Sequence, residues 1–227
     1  MPRLITVLMI VLFAQGCSSL ERSLVRNNFV DPGGGHQQIL VVRKSRPHVF
    51  SAQVFAWEQF QGKWRPIFKA MPAVVGRKGI ALPGAKREGD GRTPSGAFDL
   101  QQAFGYGPAL TTGLNYRKVG EEDIWVDDPG SPQYNQWVKL PTEAGSFEHM
   151  KREDQLYEMG AVIEYNTDPV VPGNGSAIFL HIWRGPNSPT AGCVALSKSN
   201  VRKMLKWLDA DKNPVITIEA PAQSEGR

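Results

Sequence analysis

Two residues late in the chain carry the chemistry. His181 is the one polar residue in Ile178-Phe179-Leu180-His181-Ile182-Trp183, and Cys193 closes the turn Thr190-Ala191-Gly192-Cys193. A cysteine attacks as its thiolate and needs a base or a cation close by. A histidine held rigidly in a buried strand can be that base. Gly192 allows a tight turn ahead of the nucleophile, and the backbone amides of Gly192 and Cys193 are the expected donors to a developing oxyanion. Residues 184–189 include two prolines and a glycine and form a loop that can bring the two strand ends together. A histidine alone in an apolar strand reads as a core residue bonded to a carbonyl. Beside a lone cysteine in such a turn it reads as catalytic, and the pairing predicts a depressed thiol pKa.

The cysteine count strengthens this reading. The chain has two cysteines, Cys17 and Cys193. Met1-Pro2-Arg3 is a short basic start, Leu4 to Ala14 is apolar apart from Thr6, and Gly16 precedes Cys17. That pattern is expected of a bacterial lipoprotein signal over residues 1–17, with Cys17 lipidated. A plain secretory signal cut near Cys17 is the competing reading; the usual leucine three places before the cysteine is Ala14 here. With Cys17 lipidated, Cys193 has no disulfide partner in an oxidising compartment, so a reactive thiol is the expectation.

Other residues near the site divide into weaker candidates. Arg184, just past His181, can grip a substrate carboxylate bidentately, or stand as a solvated loop arginine. Thr190 is a second substrate-side candidate. Asp127 and Asp128 precede Pro129-Gly130 and read as turn formers rather than an acid–base pair. Tyr134 with Asn135, and Tyr165 with Asn166, are candidates to line the cleft. His36, His48 and His149 fall outside any recognisable site. No Cys/His cluster has metal-ligand spacing, so no metal is expected.

The elements that must position these residues are mostly strands. Gly (23) and Pro (17) are plentiful, and β-branched runs lie between them. A hydrophobic fraction of 41% with 21% charge supports one packed domain. The net charge of +4, with 26 Lys and Arg scattered among 22 Asp and Glu, lacks the basic stripe of a nucleic-acid binder. Residues 18–35 read as a flexible tether ending in Asp31-Pro32-Gly33-Gly34-Gly35, residues 36–222 as the domain, and residues 223–227 as a tail. Strands are expected at 38–43, 49–58, 63–70, 97–100, 161–164, 177–183, 194–196 and 215–219, with Gln61-Gly62 as a hairpin turn. Residues 81–93 read as an exposed loop. Ser197 is a good N-cap for a helix from Lys198 to about Leu208 with Val201, Leu205 and Leu208 on one face. A second helix is expected over 147–159, with a charged face of Glu148, Lys151, Arg152 and Glu153. The sum is a mainly β domain with one or two packed helices.

The His181 strand with its Thr-Ala-Gly-Cys turn resembles the YkuD-type L,D-transpeptidase catalytic domain, which has a strand-borne His followed after a loop by Ser/Thr-His-Gly-Cys. Thr93-Pro94-Ser95-Gly96-Ala97-Phe98 resembles that family's Thr-Pro-x-Gly-x-Phe segment, and the stretch from Trp125 to Asn135 is similar to one found in some members. The resemblance covers about residues 38–219. It implies a β-sandwich-like fold, Cys193 as nucleophile and His181 as base, no metal or organic cofactor, and peptidoglycan stem peptides as substrate. In such enzymes a thioester forms on an L-residue that precedes a D-residue, and an amine of a second stem or of a lipoprotein takes the acyl group. Three departures stand out. Ala191 replaces the family's second His, Ala195 replaces a polar residue, and the His-to-Cys spacing is short. They leave acyl transfer to water, by a carboxypeptidase or endopeptidase, as the rival outcome. A wall-binding lipoprotein without catalysis is the alternative of another class. The expected location is the bacterial envelope, on the periplasmic side of a membrane held through the lipid on Cys17.

Overall fold

The structure is a computed structural model that describes residues 35–221. The expected signal segment, Cys17, nearly all of the tether and the 223–227 tail lie outside the described residues. Fourteen strands and one α-helix make up the described part, so the expected mainly β class holds.

β1 (Gln38–Lys44) is a run of β-branched residues with both faces buried, as a central strand requires. It pairs in parallel with β14 (Val215–Ile218) and antiparallel with β2 (Ser51–Phe60). β2 turns into β3 (Lys63–Pro66) through Gln61 (φ 48°) and Gly62 (φ 75°). Two successive left-handed residues are what a tight hairpin needs to match strand twist. With β4 (Met71–Val74), β5 (Gly96–Asp99), β6 (Gln102–Gly105), β7 (Asn115–Lys118), β11 (Met159–Val162), β12 (Phe179–Ile182) and β13 (Val194–Leu196), these strands form one eleven-stranded sheet. Its order is β5-β14-β1-β2-β4-β13-β12-β11-β6-β7, with β3 on β2. β8 (Asp123–Val126), β9 (Trp137–Lys139) and β10 (Phe147–His149) form a separate sheet in the order β10-β8-β9.

The helix α1 (Lys198–Trp207) follows β13 and packs on β11 and β12. Ser197 caps it, its hydroxyl accepting from the Asn200 amide at 3.3 Å. Val201, Met204 and Leu205 are buried on one face, each worth about 1.5–3 kcal/mol of transfer free energy. They complete a large core with Leu40, Val54, Leu180 and Leu196.

Side chains alternate across a strand, and in β12 this alternation divides the molecule. Leu180 and Ile182 enter the large core. Phe179 turns the other way, into an aromatic cluster with Phe104, Trp125, Tyr157 and Cys193. Trp125 meets Phe179 edge-on at 5.0 Å, which joins the small sheet to the large one.

Two expectations fail. Residues 147–159 are not a helix. Glu148 pairs with Trp125 in the β10–β8 ladder, Gln155 is left-handed at φ 60°, and the Arg152 amide donates to the Tyr106 hydroxyl at 2.8 Å. The charges do not share one solvent face, and no apolar stripe competes with these contacts. The second correction concerns residues 81–93, which are not simply an exposed loop. Ala81, Lys86 and Thr93 are buried, with the Lys86 ammonium bonded to Asp90 at 2.9 Å.

Candidate active site

Cys193 stands just before β13, and His181 lies in β12. The two strands run parallel with His181 opposite Ala195, so both residues line one cleft of about 310 Å³. The turn that presents Cys193 is pinned from two sides. Its carbonyl accepts hydrogen bonds from the Thr190 hydroxyl at 2.7 Å and the Thr93 hydroxyl at 3.4 Å. The Thr190 backbone is itself tied to Val75 and Arg77, at 3.0 and 2.9 Å. Gly76, between them, lies so close to residue 91 that an added Cβ would sit 2.5 Å from the Gly91 carbonyl oxygen. Gly192 is not left-handed. Its lack of a side chain gives room instead, since a Cβ there would lie 3.1 Å from the Arg92 carbonyl oxygen. The Gly192 amide donates to the Thr190 hydroxyl at 3.2 Å.

The thiol is 7% exposed. It donates to the Ala177 carbonyl at 3.2 Å and accepts from the Phe179 amide at 3.4 Å. Burial, reinforced by the nearby Glu148, pushes its pKa up to about 12. The depressed thiol expected from the sequence is therefore corrected. The aromatic cluster withholds water from the thiolate, and His181 is neutral rather than a cation beside it. The His181 Nδ1 lies 2.8 Å from the Ile182 carbonyl oxygen, which makes it the protonated nitrogen. Burial lowers the pKa of His181 to about 4, so the ring is neutral near pH 7 with a lone pair on Nε2.

Tyr157 packs edge-on against His181 at 5.0 Å and against Phe179 at 5.4 Å. Its hydroxyl donates to Glu148 Oε2 at 2.7 Å, and the Arg152 guanidinium sits 5.1 Å from the centre of its ring. Tyr157, Glu148 and Arg152 all line the cleft. Sequence reading assigned the last two to a solvated helix face and passed over the first. Their only signal was Tyr157 alone among the charges of a stretch without period.

At the mouth, Asp154 is held by both arginines. Arg152 binds it bidentately at 2.8 Å per bond, and Arg184 binds it at 3.0 Å. These bonds hold the Asp154 carboxyl well below the ordinary carboxylate range. Two guanidiniums share one carboxylate there, while at the thiol the charge of Glu148 outweighs that of Arg152. Arg184 is thus cleft-lining and already paired, while Thr190 serves the turn. Arg77, Lys86, Glu88 and Asp127 also line the cleft.

The remaining sequence candidates fall elsewhere. Asp128 does form a turn, accepting from Gly130 at 2.9 Å and Gly145 at 2.8 Å, whereas Asp127 faces the cleft with a buried, unpaired Oδ1. Tyr134 and Asn135 brace the chain entering β12 instead of lining the cleft. The Asn135 Oδ1 accepts from Trp125 Nε1 at 2.8 Å and the Ala177 amide at 3.1 Å, and Tyr134 bonds Glu88 and the Gly175 amide. Asn135 also holds the carbonyls of Tyr165 and Asn166, which are likewise outside the cleft lining. His36, His48 and His149 are not among the residues of the cleft. Among the described residues, no three His, Cys, Asp or Glu side chains are grouped to hold a metal ion. No described helix is long and apolar enough to cross a membrane.

Residues 38–217 match the family described as YkuD, L,D-transpeptidase catalytic domain. Among solved structures, the chain is similar to the helical cell shape determining protein Pgp2 from Campylobacter jejuni, with 18% identity and a TM-score of 0.42 over 92% of this chain and 59% of the other. A mutant of that protein is similar at 21% identity and TM-score 0.42, over 84% of this chain and 49% of the other. The chain thus spans about half the length of the solved proteins it matches. None of the curated proteins compared with it matches.

Proposed function

The chain belongs to the YkuD family of L,D-transpeptidase catalytic domains, and we propose that it acts on peptidoglycan stem peptides through a thioester on Cys193. The supporting observation is the single cleft that holds a rigidly presented thiol and a neutral, carbonyl-oriented imidazole. Cys193 Sγ attacks the carbonyl carbon of an L-residue, and the thiol proton passes to His181 Nε2. The oxyanion takes the Cys193 amide as its donor. Collapse of the adduct breaks the peptide bond, and His181 returns the proton to the departing amine of the D-residue. An amine of a second stem then attacks the thioester and restores the thiol.

Charge on the cleft suits such a substrate. A stem peptide carrying a diamino acid has both carboxylates and ammonium groups. Arg77, Arg152 and Arg184 line the cleft for the former, and Glu88 and Asp127 for the latter. Hydrolysis is the second reading, and Ala191 and Ala195 favour it. They place methyl groups in the cleft lining where relatives carry polar side chains that can hold an acceptor. The lipid on Cys17 would keep either activity at an envelope membrane.

The test is incubation of the full-length protein with a defined tetrapeptide, with and without an amine acceptor, read by mass. A thioester adduct on Cys193 is expected, then a cross-linked or a shortened product according to the acceptor. Cys193→Ser should leave the fold intact and form no adduct. Wild-type activity in that variant would remove Cys193 as nucleophile.

A further inference from the structure

The thiolate, once formed, faces a shortage of donors. In the resting state Sγ both gives and receives a hydrogen bond. Loss of its proton turns the Ala177 carbonyl from an acceptor into a repulsive neighbour. The Phe179 amide then remains, at 3.4 Å. A buried anion with a single donor is costly. Tyr157 belongs to the same buried cluster and lines the same cleft as the sulfur, and its hydroxyl favours the charged form of the thiol. Tyr157 is buried, at 4% exposure, and its ring is wedged by His181, Phe179 and Phe104. It therefore has little freedom to do anything except rotate its O–H bond.

That bond carries a single proton. In this structure it goes to Glu148 at 2.7 Å, and an ionised Glu148 would compete with the thiolate for it. A protonated Glu148 would not compete, because its own O–H would donate to the Tyr157 oxygen and free the phenolic proton for sulfur. The surroundings lean toward that form. Burial raises the Glu148 pKa, as do the charges of Asp127 and Glu88, while Tyr157 and Arg152 oppose them.

We propose that Tyr157 is a further catalytic residue whose hydroxyl donates a hydrogen bond to the Cys193 thiolate while a protonated Glu148 holds the phenolic oxygen. No covalent bond changes in this step. The thiol proton still goes to His181, and the chain Glu148–Tyr157–Cys193 reorders two hydrogen bonds. The proposal rests on the reading of Cys193 as the nucleophile.

The experiment measures iodoacetamide alkylation of Cys193 against pH in the full-length protein, together with acylation by the tetrapeptide, both located by mass. Tyr157→Phe should slow both reactions about 10- to 100-fold near neutral pH and move the thiol profile upward, the usual effect of losing a hydrogen bond to a charged group. Glu148→Gln keeps a neutral donor for the phenolic oxygen and removes a negative charge, so it should react at least as fast as wild type. Glu148→Ala, which leaves the hydroxyl unheld, should be slow. A Tyr157→Phe profile that overlays wild type overturns the proposal, and so does a Glu148→Gln variant as slow as Glu148→Ala. If Tyr157→Phe fails to fold, the two Glu148 variants still decide. Absence of a peptide adduct on wild-type Cys193 would instead sink the functional reading and take the catalytic role of Tyr157 with it. Alkylation needs no substrate, so the two failures are told apart.

Discussion

Replacing His181 by Asn should remove a defined part of the protein's acid sensitivity. Burial lowers the His181 pKa from 6.5 to about 4. In the unfolded chain the same ring titrates at its ordinary value. Between these two pH values the unfolded state binds a proton that the folded state refuses, so stability falls as pH drops through the window. A gap of about 2.5 pKa units corresponds to about 3 kcal/mol, at 1.36 kcal/mol per unit. That is a large share of a typical domain stability of about 5–15 kcal/mol. In His181→Asn the amide can still donate to the Ile182 carbonyl, but nothing titrates at that position. The carboxylates titrate in both proteins and cancel in the comparison. Urea unfolding of the full-length protein and the variant, at steps from pH 7 to pH 4, gives the difference directly. The variant starts less stable, because a ring is lost from a packed wall, and should recover about 3 kcal/mol relative to wild type by pH 4. A difference that stays constant across the series would mean that His181 is not held neutral by burial. The basis for Nε2 as the proton acceptor would then be gone.

Two further outcomes follow from the way the site is built and from the segment expected to anchor it. Thr190→Val removes the hydroxyl that binds the Cys193 carbonyl and receives the Gly192 amide; it should cost about 1–3 kcal/mol in thermal or urea unfolding and slow acylation of Cys193 by the tetrapeptide. Cys17→Ala should move the protein from the membrane to the soluble fraction while its circular dichroism stays unchanged. Acyl chains contribute about 0.8 kcal/mol per buried CH₂, and a variant that still sediments with membranes after signal cleavage would rule out lipid as the anchor.

What could be read from the sequence follows from where pattern and environment agree. β1, β12, β13 and β14 are short apolar runs buried on both faces, and α1 combines a Ser cap with a 3.6-residue stripe. Each local signal there points the same way as the fold. The middle of the chain gave no such signal. β7, β8, β9 and β10 have three or four residues each, too few to establish a period. The spacing of Glu148, Lys151 and Arg152 fits a helix, but it arises in an irregular segment whose polar groups bond to Tyr157 and Asp154 within it and to Glu121 outside it. That Cys193 and His181 line one cleft was legible because their types are rare and their spacing is local. Tyr157 and Thr93 reach Cys193 from 36 and 100 positions away, and only the folded chain brings them there. The thiol pKa was misjudged for the same reason, since it depends on Phe179, Trp125 and Tyr157 closing around the sulfur.

The raised thiol pKa and the lowered imidazole pKa describe one resting state, a neutral pair in a dry wall. An ion pair formed in advance would be a poor match for the aromatic cluster, because separated charge is costly where water is excluded. A neutral pair carries no such cost, and in the proposed mechanism charge arises only as sulfur attacks. Stabilisation is then needed at that moment and at that place, which is the condition under which preorganised donors accelerate a reaction most. The pinned turn supplies position, with two threonine hydroxyls on the Cys193 carbonyl. Arg152, held in place by Asp154, supplies a field that favours an anion at the sulfur. In the proposed mechanism, Tyr157 adds the directed donor that turns this field into a localised hydrogen bond. The resting cysteine should consequently be slow toward small alkylating agents near neutral pH and fast toward a bound stem peptide, because only the peptide brings a carbonyl into the geometry that these groups were folded to serve.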